Sequence, residues 1–247
     1  MNILVCISRV PDTATKIFVG ADGKSIDPKG VKYILNPYDE YALEEGLRLR
    51  EKNGGTVTAI SVGTNESTEV LRTALAIGAD DAVLIIGSDL DSYQTAYNLA
   101  DYAKSGNYDI ILAGRQSVDY DSFQVPSIVA GILDIPSVSV VSKLEINGTQ
   151  VIAERDIEGG REVLETTLPC LISCQKGLNE PRYPKLPDIM KAKKKTILEI
   201  EAKNVDATVS VLKMDLPNKQ RVGKILGDSD QDINEIVRSL HEDTKVI

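Results

Sequence analysis

Thr56-Val57-Thr58-Ala59-Ile60-Ser61-Val62 is an apolar, β-branched run, and Gly63-Thr64-Asn65 turns the chain after it. Ser67 to Ile77 then places Val70, Leu71, Ala74 and Leu75 on one helical face, Gly78 stops the helix, and Ala82-Val83-Leu84-Ile85-Ile86 is apolar throughout. Strand, helix and strand in this order form one crossover unit. A strand apolar on both faces suits a parallel sheet covered by helices on both sides. The alternation extends in both directions. Upstream, Ile3–Ile7 is a first short apolar strand. Asn36-Pro37-Tyr38-Asp39 starts a helix, with Asn36 as N-cap, Pro37 in the first helical position and Asp39 complementing the dipole. That helix runs through Ala42, Leu43 and Leu47 to Asn53-Gly54-Gly55. Downstream, Ser92–Lys104 carries Ala96, Leu99, Ala100 and Ala103 on one face, Ile110–Ala113 is a fourth strand, and Gln124–Leu133 is a further helix. The order implies an α/β fold, a doubly wound and mainly parallel sheet with right-handed crossovers.

The second half changes character. Val138–Ile146, Val151–Asp156, Val163–Thr167 and Leu171–Cys174 are strand-like, with tight connections at Asn147-Gly148 and Gly159-Gly160. Antiparallel strands are therefore expected to end the sheet. After Gly177 the pattern dissolves. Leu178–Lys195 contains Pro181, Pro184, Pro187 and a basic run, and from Thr196 to Lys224 apolar residues are sparse and interleaved with charge. Only Asp232–Leu240 is again helical, with Ile233, Ile236, Val237 and Leu240 on one face. The expected organisation is an α/β domain over residues 1–195 and an extended C-terminal arm over residues 196–247.

Composition excludes several classes. The chain of 247 residues has 37 acidic and 28 basic side chains, a formal charge of −9, which disfavours general nucleic-acid or anionic-membrane binding. No apolar run approaches the roughly 20 residues of a membrane helix, and Met1-Asn2-Ile3-Leu4-Val5 has no basic leader, so a cytoplasmic protein is expected. Cys6, Cys170 and Cys174 are odd in number and set among apolar residues, as buried free thiols of a reducing compartment would be. On an extended strand the Cα atoms of Cys170 and Cys174 would lie roughly 13 Å apart, too far for a disulfide. Three scattered cysteines and a lone His241 are too few soft ligands for zinc. With Glu242 and Asp243 beside that histidine, a Ser–His or Cys–His nucleophile has no evident location. The balance tilts away from hydrolase chemistry.

Parallel α/β sheets bind ligands beyond the carboxyl ends of their strands, where strand order reverses. Ser8–Asp12, Leu35–Asp39, Val62–Asn65 and Gly114–Phe123 occupy such ends. The last is the richest: Gly114-Arg115-Gln116-Ser117-Val118-Asp119 supplies a turn, a cation, an amide and a hydroxyl ahead of the helix near Gln124. A solvated polar loop is one reading. An anion site for a nucleotide phosphate at the helix N-terminus is the other. Neither a Walker phosphate loop nor a Gly-x-Gly-x-x-Gly follows the first strand. Lys191-Ala192-Lys193-Lys194-Lys195 reads either as a solvated face or as an electrostatic docking patch. The apolar stretch Leu186-Pro187-Asp188-Ile189-Met190 just before it favours a transient protein partner.

Ala153-Glu154-Arg155-Asp156-Ile157-Glu158-Gly159-Gly160-Arg161-Glu162-Val163-Leu164, with Pro169 after it, resembles the signature segment of the electron transfer flavoprotein beta-subunit family. The family's Arg-Glu-Ile-Asp-Gly-Gly-x-Glu pattern is kept with Asp and Glu exchanged. Leu178-Asn179-Glu180-Pro181-Arg182-Tyr183, Leu186-Pro187 and Ile189-Met190-Lys191-Ala192-Lys193-Lys194-Lys195 continue the likeness. So do Arg9-Val10, Asn36-Pro37-Tyr38-Asp39-Glu40, Leu71-Arg72-Thr73-Ala74-Leu75-Ala76 and Gly78-Ala79-Asp80 upstream. These segments occur in order over nearly the whole chain to Lys195.

The resemblance implies an adenine-nucleotide-binding α/β subunit, not an enzyme by itself. Such a subunit buries one structural AMP and pairs with an alpha subunit that carries most of the FAD site. The heterodimer takes electrons from acyl-CoA or other flavoprotein dehydrogenases, as in fatty acid oxidation, and passes them to a downstream quinone oxidoreductase. The positions matching the family's nucleotide site are Cys6, Asn36, Pro37, Tyr38, Asp39, Val62, and the run Gly114, Arg115, Gln116, Ser117, Val118, Asp119, Tyr120, Asp121, Ser122, Phe123, Gln124 and Val125. The recognition loop that docks dehydrogenases matches Leu178–Lys195. Leu186 falls at its anchoring leucine, with Pro187, Ile189 and Met190 beside it, and Lys191 and Lys194 fall where some members carry methylated lysine. The arm implies a grip on the alpha subunit. There are departures. The usual Gln-Thr-Gly is Gln124-Val125-Pro126, which loses a hydroxyl and a backbone N–H; Ser8 replaces a lysine, and Thr13 stands where many members place a tyrosine. Val10–Thr13 and Gln124-Val125 also resemble the electron-bifurcating branch, which holds a second FAD in place of AMP. A stand-alone adenine-nucleotide module is the competing class, although the catalytic His pair or Ser-Gly-Gly pyrophosphate loop of an adenylyl-transferring enzyme is missing.

Overall fold

The computed structural model describes residues 1–217 and 223–246; residues 218–222 of the expected arm, and residue 247, lie outside the described residues. The chain forms β1 (Asn2–Cys6), β2 (Arg9–Pro11), β3 (Tyr33–Leu35), α1 (Pro37–Asn53), β4 (Thr56–Gly63), α2 (Thr68–Ile77), β5 (Asp81–Ile86), α3 (Ser92–Ser105), β6 (Ile110–Gly114) and α4 (Val125–Leu133). There follow β7 (Ser137–Asn147), β8 (Gln150–Ile157), β9 (Gly160–Thr167), β10 (Cys170–Cys174), α5 (Leu186–Ala192), β11 (Leu198–Glu201) and α6 (Asp230–Arg238). The main sheet has nine strands in the order β11-β5-β4-β1-β6-β10-β7-β8-β9, and β2 and β3 form a small separate antiparallel pair.

Side-chain alternation along β1 divides the core. Ile3 and Val5 pack with Leu43 and Leu47 of α1 and Leu71 of α2, while Leu4 and Cys6 pack with Ala96 and Leu99 of α3 and Val129 of α4. Helices thus cover both faces, as the crossover pattern requires.

Three features depart from the sequence reading. First, the antiparallel edge consists of β7, β8 and β9 only; β10 lies between β6 and β7 and runs parallel to both. All five of its residues are buried, and only an interior strand is covered on both faces. Second, Leu186–Ala192, within the stretch where no pattern was read, is a short helix with Pro187 in its first turn. Third, residues 198–201 pair in parallel with β5, Leu198 opposite Val83 and Glu201 opposite Ile86. Beyond them Asn98 Oδ1 accepts the Lys203 amide at 2.7 Å, and Asp91 Oδ2 accepts the Val209 amide at 2.9 Å. The first compact unit accordingly runs from Met1 to Lys213, past the boundary expected at Lys195.

The second unit, Met214–Ile247, contains α6. Ser229 caps it by accepting the Asp232 amide, Glu235 pairs with Lys224 and Arg238, and no residue of α6 is buried.

Candidate functional site

The chain leaves β1 for β4 and β5 on one side and returns through β6 on the other, so strand order reverses at the carboxyl ends of β1 and β6. Asp39 and Asn36, at the N-terminus of α1, organise this crevice. Asp39 Oδ2 accepts the Ser8 amide at 2.8 Å and the Ser8 hydroxyl at 2.7 Å, and Oδ1 accepts the Gly114 amide at 3.0 Å. Burial pushes the Asp39 carboxyl up to about 6, against the opposing hydrogen bonds from Ser8, Asn36 and Gly114. Asn36 occupies the N-cap position, but its side chain makes no cap bond. Fully buried, it donates to the Gln116 carbonyl at 2.9 Å and accepts the Val118 amide at 3.2 Å, fixing the shape of the distant loop.

That loop begins at Gly114, where a side chain has no room: a Cβ would lie 2.3 Å from Asp39 Oδ1 and 2.7 Å from the Tyr38 carbonyl carbon. The Arg115 guanidinium carbon lies 4.7 Å from the centre of the Tyr38 ring and 5.0 Å from that of Phe123. Arg115 Nε and Gln116 Oε1 are buried with no hydrogen-bond partner. Asp121 and Phe123 both adopt left-handed backbone, and the Asp121 amide donates to the Ser117 carbonyl. Asp119 accepts the amide of Tyr120, whose ring is exposed, and the Ser122 hydroxyl lies 3.5 Å from that of Ser92 at the start of α3. Gln124 precedes Val125 without a side-chain cap, and Pro126 contributes no N–H to the first turn of α4.

The structure therefore brings Asn36, Tyr38 and Asp39 against Gly114–Val118, with Arg115 between the rings of Tyr38 and Phe123; Pro37 begins α1 beside them. Cys6 lies at the end of β1, buried; burial and then Asp39 push its thiol up to about 12, so it is a neutral packing group. Val62 sits near the end of β4, paired with Ile85. Ser8, the double donor to Asp39, stands in the sequence as the start of the strand-end loop Ser8–Asp12 and as a departure from a lysine, and no local pattern marks its role as the partner of Asp39. The free donors of the crevice, the buried Arg115 Nε and the uncapped start of α4, are of the kind that suits an anion, while Gln116 Oε1 is an unused acceptor beside them.

The segment read as a docking loop is tied down at its far end and open between. Arg72 of α2 donates to the carbonyls of Ala192, at 2.7 Å, and Lys195. Lys195 in turn donates to the carbonyls of Ala79, at 3.0 Å, and Asp80, at 2.8 Å. Ala192 is buried and Ile189 packs on the core, while Leu186 is 79% and Met190 57% exposed. Pro187, Lys191 and Lys194 face solvent, with Lys191 paired to Asp188 at 3.2 Å. Among the described residues no cluster of His, Cys, Asp and Glu could hold a metal, all three cysteines are free and buried, and no helix is long and apolar enough to cross a membrane.

Comparison with known proteins adds to this geometry. Residues 24–205 match the model of the electron transfer flavoprotein domain. The chain is 46% identical to the electron transfer flavoprotein subunit beta of Bacillus subtilis, with both chains covered in full. It is 40% identical to the protein of the same name from Thermoanaerobacterium thermosaccharolyticum, over 98% of this chain and 97% of that one. The mouse protein of that name is also 40% identical, over 90% of this chain and 91% of its own.

Proposed function

The chain belongs to the electron transfer flavoprotein family, and from that premise we propose that it is the beta subunit of a heterodimeric electron carrier. Its partner is an alpha subunit that holds most of the FAD. The donors are acyl-CoA or other flavoprotein dehydrogenases, and the acceptor is a quinone oxidoreductase. We read no catalytic role into its own residues. The crevice between β1 and β6 takes one AMP, with Arg115 and the start of α4 toward the phosphate. The observation that carries this reading is the pair of long-range ties, Asp39 to Gly114 and Asn36 to Gln116 and Val118, which shape the loop ahead of α4. AMP supplies bridging charge and hydrogen bonds, and as a ligand of the native state alone it stabilises the fold. The exposed face at Leu186 and Met190 receives donors, and α6 lays its apolar stripe, Ile233, Ile236 and Val237, with Leu240 just beyond its end, on the alpha subunit.

Gln124-Val125-Pro126 supports a second reading, the bifurcating branch with FAD in the AMP site, because Pro126 removes an N–H from the first turn of α4. The test is to purify the heterodimer, denature it and identify the released nucleotides. AMP and FAD in equal amounts are expected. Two FAD per heterodimer would select the second reading, and stable, active protein without any adenine nucleotide beyond one FAD would overturn both.

A further inference from the structure

The exposed docking face has a second anchor, ahead of it in the chain, that the loop's own sequence does not announce. Arg182 lies just before Tyr183-Pro184-Lys185-Leu186, and its guanidinium is shared by two carboxylates of α1. Nε lies 2.7 Å from Glu44 Oε2, and Nη2 lies 3.0 Å from Glu44 Oε1. Nη1 lies 2.5 Å from Glu51 Oε1, and Nη2 lies 3.2 Å from Glu51 Oε2. The Arg182 amide donates to Glu44 as well, at 3.3 Å. Two planar forks on one guanidinium fix both the position and the orientation of the backbone that carries them.

The surroundings reinforce the anchor. Glu44 is buried and also accepts from Arg48 at 2.8 Å; burial pushes its carboxyl up, but the bonds from Arg182 and Arg48 outweigh this and hold it below its ordinary value. Asn179 donates to buried Glu45 at 2.9 Å and to the Tyr41 carbonyl at 3.0 Å. Four ionisable groups therefore meet here, Glu44, Glu51, Arg48 and Arg182, with Glu45 beside them. Between this anchor and the one made by Arg72, Ile189 turns to the core while Tyr183, Leu186 and Met190 are left outward, Tyr183 being 91% exposed.

We propose that Arg182, forked onto Glu44 and Glu51, is a positioning residue for partner docking, holding the Tyr183–Met190 face in order before each encounter. A loop that must be ordered on binding loses affinity for every mobile side chain it fixes. A loop anchored at both ends has already met that cost during folding. The proposal rests on the docking role given to Leu186 and adds the device that presents it.

The experiment uses the complete heterodimer and a flavoprotein dehydrogenase donor. KM and kcat for electron transfer are measured for Arg182→Lys, Glu51→Gln and Leu186→Ala, together with amide hydrogen exchange across residues 183–192. Arg182→Lys keeps the charge and loses the fork. It should raise KM about three- to tenfold, by the ordering cost of one or two side chains, leave kcat unchanged and speed exchange at Leu186–Met190. Glu51→Gln removes only the exposed fork, leaves the buried one intact and should act in the same direction with a smaller change. Faster exchange with unchanged KM, or unchanged exchange in both variants, would overturn the proposal. If Leu186→Ala raises KM and neither anchor variant does, the positioning role alone is overturned. If Leu186→Ala leaves KM unchanged, the docking reading falls with it.

Discussion

The Asp39 carboxylate accepts the Gly114 amide at 3.0 Å across 75 residues of chain, joining the first turn of α1 to the end of β6. A Cβ on residue 114 would lie 2.3 Å from that same carboxylate oxygen and 2.8 Å from the Asp39 nitrogen. Neither neighbour can yield, since one is hydrogen-bonded and buried and the other is helix backbone. Gly114→Ala should therefore cost about 1–3 kcal/mol, the usual range for overpacking, read as a fall in denaturant midpoint at unchanged slope. An alanine variant as stable as the parent would show that α1 and β6 are not in this contact.

The same carboxylate sets a pH dependence. Its native pKa, about 6, lies above the ordinary value of 3.8. A raised pKa contributes stability that is fully present below the unfolded value and is lost as pH rises through the native one. Across pH 4 to 7 the parent should lose about 2 kcal/mol relative to Asp39→Asn, at about 1.4 kcal/mol per pKa unit. Parallel stability curves for the two proteins would remove Asp39 as the titrating group.

Leu186→Ala removes an apolar side chain that the fold itself does not bury. It should leave folding stability within about 0.5 kcal/mol and FAD content intact. Donor reduction should weaken by about tenfold or more, chiefly through a shorter-lived complex. Lys191→Gln with Lys194→Gln should instead slow association and flatten its salt dependence. Donor kinetics that are the same in low and high salt for parent and variant would count against a steering patch.

Asp91 makes the opposite kind of pH contribution from Asp39. Its Oδ1 caps α3 through the Gln94 amide at 2.8 Å, and its Oδ2 accepts the Thr208 amide at 2.5 Å, the Thr208 hydroxyl at 2.9 Å and the Val209 amide at 2.9 Å. Burial raises its pKa, but these bonds outweigh burial and hold it at about 2. The tie is thus complete above the ordinary carboxylate range and lost as pH falls through about 2. Asp91→Ala should cost about 1–2 kcal/mol for the cap and speed amide exchange at residues 203–209 while the central strands stay protected. Protection at 203–209 equal to the parent's would refute the tie.

Truncation separates the two units. A chain ending at Lys213 retains β11 and the Asp91 tie, so it should fold as the parent's first unit does and lose stable association with the flavin-bearing partner. A chain ending at Lys195 also loses β11, which leaves β5 as a bare edge strand, and should be prone to aggregation. Stoichiometric co-purification of the Lys213 form with the partner would contradict the role given to α6.

The parallel half of the fold was legible because each strand and helix of the crossover units carries its own periodicity, from Val57 and Ile60 to Leu71 and Leu75. The strand at Leu198–Glu201 was not: Leu-Glu-Ile-Glu has too few apolar residues to stand out, and its pairing with β5 is set by tertiary contact. The interior position of β10 is likewise a matter of long-range pairing, although its apolar run, broken only by Ser173, was visible. At the crevice, Asn36 carries the signature of a helix cap, and sequence alone could not reveal that it serves the loop at Gln116–Val118 instead. Arg182 and its acidic partners lie on separate elements, so no spacing rule joins them.

The place of β10 in the sheet governs how the chain can be made. Its neighbour β6 is complete long before Cys170–Cys174 leave the ribosome, and until they do, that strand stands as an open margin. The meander of β7, β8 and β9 can pair locally in the meantime. That strand must then enter between two pieces of sheet, its four apolar side chains and Ser173 becoming buried together on both faces. Such a late, non-local closure is slow by the physics of chain looping. It leaves the half-made protein most in need of shelter just before the segment given the docking role has emerged.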